Sequence, residues 1–387
     1  MSRMFPDSAR MIRELSALVA IPTENPPGRE AEAASVIAGM LEAIGLCVTL
    51  DTYAPGRTNV EARLDNGPGP VFVFNTHIDT VPAGEGWSSD PFILTERDGF
   101  LFGRGACDCK GPLVSMLEAV RMLVACRDSW SGTLLAIFVA DEEVASEGAR
   151  RAMTRLPGID FVIVGEPTSN SVVTAHKGSL RPVVRVFGRA THSGTPHLGE
   201  NAVLRAGRLL CLIEAEHADR VRRKDHALVG PASLTVTRIE GGHADNVVPD
   251  RCDLLLDRRM IPGETETAVR AELEAILHEA AFAFGIDARI VAYKPTPGAA
   301  IQTAPDCILV QRSLEIAGRH GVEQAGPFGF PGGCDLVHFC STGAEGVVLG
   351  PGSLAVAHKP DEFVPIAEMV AASLIYRDIA MAMLGRR

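Results

Sequence analysis

The stretch VFVFNTHIDT, residues 71–80, decides the fold prediction. It begins with a short, mostly apolar run at residues 71–75, which is typical of a buried strand, and polar residues follow at once. His77 and Asp79 are two positions apart, so on a strand both side chains can point to the same face. Open α/β sheets bind their ligands at the carboxyl ends of their strands. We therefore expect a functional site at the end of this strand.

Short apolar runs of this kind recur along the chain and alternate with segments of helical period. The runs are at residues 134–140, 161–164 and 346–349, and the helical segments are at 31–44, 111–126, 305–318 and 366–384. This alternation predicts an α/β fold with a mixed, mostly parallel sheet flanked by helices.

The pattern changes after residue 178. Strands are predicted at 180–187, 233–240 and 252–256, and helices at 202–217 and 265–284. These segments can form a small α+β unit whose sheet is covered on one face. Residues 294–298, KPTPG, are typical of a linker. We therefore predict a catalytic domain of residues 1–178 and 295–387, interrupted by an inserted domain of residues 179–294.

The composition argues against several classes of partner. The 387 residues carry 48 acidic and 37 basic side chains, and the net charge of −11 repels phosphate backbones and anionic lipid. We therefore expect neither a nucleic acid nor a membrane as a partner. Nine cysteines without a CxxC pair, and an N-terminal segment without the apolar run of a secretory signal, are typical of a cytoplasmic protein.

Polar side chains that suit metal binding lie beside the predicted strands and helices. They are His77 and Asp79, Asp108, Glu142 and Glu143, Glu166, and His358. Imidazoles with carboxylates suit zinc, with cobalt or manganese as alternatives, and surplus carboxylates suit two ions that share one bridging carboxylate. Such a pair activates water and polarises a carbonyl, which is what amide hydrolysis requires. Of the two adjacent glutamates, one can bind metal while the other acts as the base.

Each of these motifs has an ordinary explanation when it is taken alone. A single histidine is more often a surface or core residue, and adjacent acids after a strand more often form a solvated turn or a helix N-terminus. Their joint occurrence, in order along the chain, favours a functional site. Cys107 and Cys109 flank Asp108, but alternation predicts that both thiols point away from it.

These motifs resemble those of the M20 metallopeptidase family, in its acetylornithine deacetylase and succinyl-diaminopimelate desuccinylase branch. The resemblance runs from IPTENPPG, residues 21–28, to AHKPDE, residues 357–362, and so covers nearly the whole chain. The inserted segment adds THSG at 191–194, GENA at 199–202, NVVP at 246–249 and DRR at 257–259. In the family the catalytic domain has a zinc-peptidase-like fold and the inserted domain is a lid that mediates dimerisation. The resemblance therefore implies a homodimer.

The resemblance also implies roles for the residues of the metal site. One ion would be bound by His77, Asp108 and Glu166, and the other by Asp108, Glu143 and His358, with Asp108 as the bridge. Glu142 would be the general base, and Asp79 would hold the imidazole of His77 in place. The peptide bond between Asp108 and Cys109 would be cis.

Further residues are implied to contact the substrate. His192 would reach the active site of the partner subunit and stabilise the tetrahedral oxyanion, with help from Asn246. Arg259 would bind the substrate carboxylate. Asp335, in the segment that lines the substrate pocket in the family, would meet a substrate amino group.

The leading hypothesis is a cytoplasmic hydrolase that cleaves the amide bond of N-acyl-L-amino acids, of the deacetylase or desuccinylase type. A dipeptidase or carboxypeptidase of the same family is an alternative, since the chemistry and the ligands would be identical. A non-catalytic, metal-binding relative is a second alternative. Such a relative would tend to lose the base or a ligand, whereas this chain keeps all six of these positions.

Overall fold

The structure, a computed structural model, describes residues 5–156 and 158–386. The chain divides into two compact units, the first of residues 1–174, 303–329 and 334–387 and the second of residues 175–302 and 330–333. The boundaries predicted from the sequence are 178/179 and 294/295. The chain enters the second unit earlier and leaves it later, because the antiparallel pairs His176↔Ile301 and Ala175↔Gln302 belong to that unit.

The described residues contain nine α-helices. They are α1 (Ser8–Val19), α2 (Glu30–Glu42), α3 (Lys110–Ala125), α4 (Glu147–Met153), α5 (Ala202–Glu216), α6 (Glu266–Phe284), α7 (Ile308–Arg319), α8 (Leu336–Phe339) and α9 (Ile366–Met383). Short 3₁₀ segments lie at Arg127–Ser129, Pro196–Leu198 and Cys340–Thr342, and a π-helical segment lies at His217–Val221.

The same described ranges contain twenty strands. They are β1 (Cys47–Ala54), β2 (Arg57–Asp65), β3 (Val71–His77), β4 (Thr95–Arg97), β5 (Phe100–Phe102), β6 (Trp130–Ser131), β7 (Thr133–Val139), β8 (Phe161–Val164), β9 (Val173–His176), β10 (Gly178–Phe187), β11 (Thr191–His192), β12 (Ser233–Gly241), β13 (Val247–Val248), β14 (Arg251–Met260), β15 (Ala288–Lys294), β16 (Ile301–Gln302), β17 (Phe328–Phe330), β18 (Glu345–Val348), β19 (Phe363–Pro365) and β20 (Gly385–Arg386).

The main sheet of the first unit has the strand order β1-β2-β7-β3-β8-β18-β9. Its four central strands, β7, β3, β8 and β18, are parallel to one another, whereas β1, β2 and β9 pair antiparallel. The predicted mixed sheet with a mostly parallel centre, flanked by helices, is therefore confirmed. Because β3, β7, β8 and β18 point the same way, their carboxyl ends meet at one edge of the sheet.

Apolar side chains of helices and strands form the core of the first unit. Residues of α3 are buried along nearly its whole length, as expected for a helix that is apolar on most of its faces. Phe74 of β3 is buried against Tyr376 of α9, with 5.7 Å between their ring centroids. The Tyr376 hydroxyl donates a hydrogen bond of 2.7 Å to the carbonyl oxygen of Leu349, directly after β18. A buried aromatic side chain contributes about 1.5–3 kcal/mol to stability, so these contacts fix α9 on the sheet.

The second unit contains an antiparallel sheet with the strand order β12-β14-β10-β15. Alternate residues of β14 are buried, including Cys252, Leu254 and Leu256, and they pack in one core cluster with apolar side chains of α5 and α6. This period of two is the pattern of a strand with one covered face. The short strands β11 and β13 form a separate antiparallel ribbon.

No helix within the described ranges is long and apolar enough to span a membrane. All nine cysteines lie in those ranges, and each has a free thiol.

Candidate metal centre

Four segments of the first unit converge at the carboxyl edge of the parallel strands. His77 is the last residue of β3, and Glu166 follows β8. Glu142 and Glu143 lie in the turn after β7. Asp108 lies in the turn before α3. These residues are far apart in sequence, and the parallel arrangement of the strands is what brings them together.

One group of donor atoms surrounds Asp108 on the side of β3. The His77 Nε2 atom lies 3.1 Å from Asp108 Oδ1 and 4.0 Å from Glu166 Oε1. All three side chains are buried. Ligands at about 2.0–2.1 Å from a tetrahedral zinc ion are about 3.4 Å from one another, so these separations suit one divalent ion.

A second group shares the other oxygen of Asp108. The His358 Nε2 atom lies 3.2 Å from Asp108 Oδ2 and 3.2 Å from Glu143 Oε2. The ligand atoms of these three residues all lie within 4.8 Å of one another. Asp108 thus offers one carboxylate oxygen to each group, which is the arrangement of a bridging ligand.

The donor set carries more negative charge than its own histidines balance. Burial and the charge of Asp108 raise the pKa of Glu166 to about 8. Burial and the charges of Glu166 and Asp335 raise the pKa of Glu142. Hydrogen bonds to Asp108 and Glu143 raise the pKa of His358 to about 10. Without bound cations the site therefore holds protons, and this set of donors fits divalent cations, which would replace those protons.

The orientation of His77 is fixed from behind. Its Nδ1 atom lies 2.9 Å from the main-chain carbonyl oxygen of Asp79, so Nδ1 carries a proton and the Nε2 side of the ring is turned towards Asp108 Oδ1. The Asp79 carboxylate is farther from the ring, at 3.6 Å. It accepts hydrogen bonds from the main-chain N–H groups of Glu142, at 3.1 Å, and Glu143, at 3.2 Å. Asp79 therefore orients His77 through its carbonyl and holds the adjacent glutamates through its carboxylate.

A buried ion pair holds the turn that carries Asp108. Glu362 accepts hydrogen bonds from the main-chain N–H groups of Cys107, at 2.9 Å, and Asp108, at 3.0 Å, and it pairs with Arg104. The guanidinium of Arg104 lies over the ring of Trp87, 5.1 Å from its centroid. Sequence reasoning gave Glu362 no role, although it ends the AHKPDE motif that contains His358.

The prediction that the two thiols beside Asp108 point away from it is wrong for Cys109. Its Sγ atom lies 2.9 Å from Asp108 Oδ1 and 3.3 Å from Glu166 Oε2, within the group that includes His77. Alternation fails here because residues 104–109 form turns and not an extended strand. Burial raises the pKa of the Cys109 thiol well above its usual value, so the neutral thiol donates to these carboxylates. The Asp108–Cys109 peptide bond is cis, as predicted.

Asp335 is the remaining predicted residue in the first unit. It is buried directly before α8, and burial raises its pKa to about 6. Its charge acts on both Glu142 and Glu166. The structure thus brings Asp335 to the same group of carboxylates.

His192, Asn246 and Arg259 lie in the second unit. His192 lies on β11 and pairs with Val247 of β13, and Asn246 directly precedes β13. The Ser193 N–H donates a hydrogen bond of 2.9 Å to the Asn246 carbonyl oxygen. Arg259 lies on β14, half-buried, and its Nε atom pairs with Asp257 Oδ1 at 2.8 Å. The preceding Arg258 is fully buried and is bonded to Glu264 and Glu272, so it is committed to the core of this unit.

This arrangement is that of an α/β protein with a candidate metal site at the carboxyl ends of its parallel strands. The chain belongs to the peptidase family M20/M25/M40, whose family description matches residues 73–382. It is an amide-bond hydrolase of this family.

Two relatives illustrate the similarity. The succinyl-diaminopimelate desuccinylase of Rhodospirillum rubrum is 33% identical over 395 residues, which cover 94% of this chain and 95% of that protein. The acetylornithine deacetylase of Proteus mirabilis is 31% identical over 345 residues, 86% of this chain and 85% of that protein. A dinuclear metal-binding peptidase of the M20 family from Bacillus subtilis has the same fold, with a TM-score of 0.75 and 20% identity, covering 97% of this chain and 98% of that chain.

Proposed function

We propose that this protein hydrolyses the amide bond of N-acyl-L-amino acids with the help of two divalent metal ions. His77, Asp108 and Glu166 would bind one ion, and Asp108, Glu143 and His358 the other. The observation that carries the proposal is the carboxylate of Asp108, which directs one oxygen to each histidine. Zinc suits this mixture of imidazole and carboxylate best, and cobalt or manganese would also suit it.

The two ions, when bound, would supply an activated water and a polarised substrate carbonyl. The remaining steps fall to residues of this chain. Glu142 is buried beside both donor groups and belongs to neither, so its carboxylate is available to take a proton and to deliver it to the leaving amine nitrogen. Asp79 holds the main chain of Glu142, which keeps this base in a fixed position.

Two residues of the second unit, His192 and Asn246, are proposed to contact the reacting amide. The His192 Nδ1 atom accepts a hydrogen bond of 3.0 Å from the Gly194 N–H, which leaves the proton on Nε2. An exposed Nε2–H is the donor that an oxyanion requires. Asn246 directly precedes Val247, the residue that pairs with His192, and would assist it. We propose that His192 acts in the site of a partner subunit, within a homodimer, and that the inserted domain serves as the lid of the catalytic domain.

Recognition of the amino-acid part is proposed to rest on Arg259. Its guanidinium has one contact with Asp257 and is about one-third exposed, so its outer face is available to a substrate carboxylate. Asp335 would meet a substrate amino group, because it is an acid beside the base. Two relatives that cover most of this chain are named for the removal of acetyl and succinyl groups from amino acids. Those names favour an N-acyl amino acid over a peptide as substrate.

An exopeptidase activity remains the second candidate, because a solved structure with the same fold is a peptidase. Nine free cysteines support a reducing compartment, and we propose the cytoplasm.

The proposal is tested by measuring metal content and hydrolysis together. Protein loaded with zinc, cobalt or manganese is assayed on N-acetyl and N-succinyl amino acids and on dipeptides, before and after chelation. We expect two ions per chain, turnover of an N-acyl amino acid, and reversible loss of activity on chelation. Turnover by verified metal-free protein would refute the metal-dependent mechanism, and exclusive cleavage of dipeptides would establish the exopeptidase.

A further inference from the structure

Asn25 lies in the loop between α1 and α2, next to the metal centre, and its side chain is buried. The main chain of this loop is fixed to the segment after β3, because the Asn25 N–H donates to the Thr80 carbonyl at 2.8 Å and the Thr80 N–H donates to the Thr23 carbonyl at 3.0 Å. The position of Asn25 relative to Asp79 is therefore set by main-chain hydrogen bonds as well as by its own side chain.

The amide of Asn25 bonds to three charged side chains. Its Nδ2 group donates to Asp79 Oδ2 at 2.8 Å and to Asp141 Oδ1 at 2.9 Å. Its Oδ1 atom accepts from Arg57 Nη2 at 2.8 Å. Because ionised carboxylates only accept and a guanidinium only donates, this amide has one possible orientation here. A buried amide with both its donors and its acceptor engaged holds its partners in a fixed arrangement.

Asp79 in turn holds the main chain of the proposed base, Glu142, and of one proposed ligand, Glu143. Its Oδ2 atom accepts both the amide of Asn25 and the main-chain N–H of Glu143, and its Oδ1 atom accepts the N–H of Glu142. A rotation of the Asp79 carboxylate would break both main-chain contacts. The Asn25 amide donates to the same Oδ2 atom that accepts the Glu143 N–H, and this additional hydrogen bond opposes that rotation.

Charge explains why a neutral donor is placed here. The Nη1 atom of Arg57 lies 2.6 Å from Glu30 Oε1 and 3.2 Å from Asp141 Oδ1. Three buried carboxylates, those of Glu30, Asp79 and Asp141, thus lie around one guanidinium and one amide. An aspartate at position 25 would be nearly isosteric, but it would replace two donated hydrogen bonds with repulsion between carboxylates.

We propose that Asn25 is a positioning residue of the centre, whose amide fixes the Asp79 carboxylate and thereby the main chain of Glu142 and Glu143. This inference rests on the two-metal function proposed above. It predicts that Asn25 acts through Asp79, and that its loss changes the chemical step and the metal environment in protein that remains folded.

The test is a double-substitution cycle with Asn25→Ala, Asp79→Ala and the combined variant, each purified with cobalt. The measurements are kcat and KM on the N-acyl amino acid cleaved by the wild type, cobalt bound per chain, the visible spectrum of bound cobalt, and the thermal unfolding temperature. Asn66→Ala is the matched control, because this buried amide donates to the carbonyls of Arg127 and Trp130 outside the site. Asn25→Asp and Asn25→Ser serve if Asn25→Ala fails to fold.

We expect Asn25→Ala to lower kcat about 10- to 100-fold, as is typical for a partner of a metal-ligand shell, with KM within about threefold and an altered cobalt spectrum. In the Asp79→Ala background the same substitution should lower kcat by less than about threefold, because the carboxylate through which Asn25 acts is already absent. Asn66→Ala should lower only the unfolding temperature. Asn25→Asp should lower kcat at least as much as Asn25→Ala.

Two results would overturn the inference alone. One is a wild-type kcat and cobalt spectrum in a folded Asn25 variant, and the other is an equal loss of kcat with and without Asp79, which would place the effect elsewhere. Failure of the proposed function appears differently. In that case the wild type itself would bind no pair of ions and cleave no N-acyl amino acid, and the positioning role would fail with it.

Discussion

Glu142 and Glu143 are adjacent in sequence, yet their side chains lie in different surroundings, and their separate substitution by glutamine is a sharp test of the site. Glutamine has the volume of glutamate, and the main-chain hydrogen bonds of both residues to Asp79 do not depend on the side chain. Both variants should therefore fold. We expect Glu142→Gln to keep two ions and lose turnover, and Glu143→Gln to lose one ion.

The magnitudes follow from the contacts. Glu143 Oε2 is one of the three donor atoms of the second group, and it lies 3.2 Å from the Nε2 atom of His358. Partners that only hold a ligand are worth 10–100-fold in metal affinity, so loss of a ligand itself should cost at least about 100-fold for that ion. Glu142 belongs to neither donor group. Loss of a general base lowers kcat about 10²–10⁴-fold.

The assay combines metal analysis after dialysis with steady-state kinetics at saturating metal. Glu147→Gln is the control, because Glu147 is an exposed acid of the same segment, at the start of α4, and should behave as the wild type. If Glu142→Gln loses an ion while Glu143→Gln keeps both, the two roles are reversed. If Glu142→Gln keeps its kcat, it is not the base.

Three further predictions concern other parts of the molecule. His192→Ala should fold and bind both ions, but its kcat should be about 10²–10³-fold lower. Activity should return when this variant is mixed with Glu142→Ala and the subunits exchange, and no recovery after exchange would exclude a shared site. Glu362→Gln leaves the buried guanidinium of Arg104 without its charge partner, so the free energy of unfolding should fall by about 3–5 kcal/mol. The measurement is the thermal unfolding temperature, which should decrease, and an unchanged temperature would contradict this. Burial lowers the pKa of His176 to about 4, so between about pH 6.5 and 4 the unfolded chain binds a proton that the folded chain excludes. The free energy of unfolding should therefore fall as the pH falls through that window. Chemical denaturation at pH 5 and 7.5 should show a weaker pH dependence for His176→Gln than for the wild type.

The sequence predicts the elements that carry the centre well. The strands expected at 71–75, 134–140, 161–164 and 346–349 are present at Val71–His77, Thr133–Val139, Phe161–Val164 and Glu345–Val348. These strands are buried on both faces, so each is a continuous apolar run that ends where the polar residues begin. The same break in hydrophobicity marks both the strand end and the candidate ligands.

The outer strands of the same sheet are not predicted. The antiparallel pair β1 and β2, Cys47–Ala54 and Arg57–Asp65, mixes apolar, charged and hydroxyl side chains, and much of β1 is exposed. An edge strand such as β1, which covers little of the core, has little need of an apolar pattern. Strand β2 pairs with β7, and this pairing overrides its weak local signal.

The contacts that hold the centre in place are also beyond a reading of single motifs. The hydrogen bonds from Asn25 to Asp79 and from Cys109 to Glu166 join segments that are far apart in sequence, or lie in turns where alternation gives no direction. In the sequence, Asn25 is only one residue of the motif IPTENPPG, and nothing in the motif predicts its hydrogen bonds. Its role depends on the simultaneous placement of two carboxylates and one guanidinium, which the chain reaches only when it is folded.

Two carboxylates outside the donor groups hold the centre in the same way. Asp79 accepts the main-chain N–H groups of Glu142 and Glu143, and Glu362 accepts those of Cys107 and Asp108. Each binds the main chain of a residue whose side chain faces the centre, and leaves that side chain free for a cation or a proton. Because the carboxylates of the donor groups repel one another when they are ionised, contacts among those carboxylates cannot fix their positions. Main-chain N–H groups carry no such charge, and they let the fold hold an acidic cluster together before any ion binds.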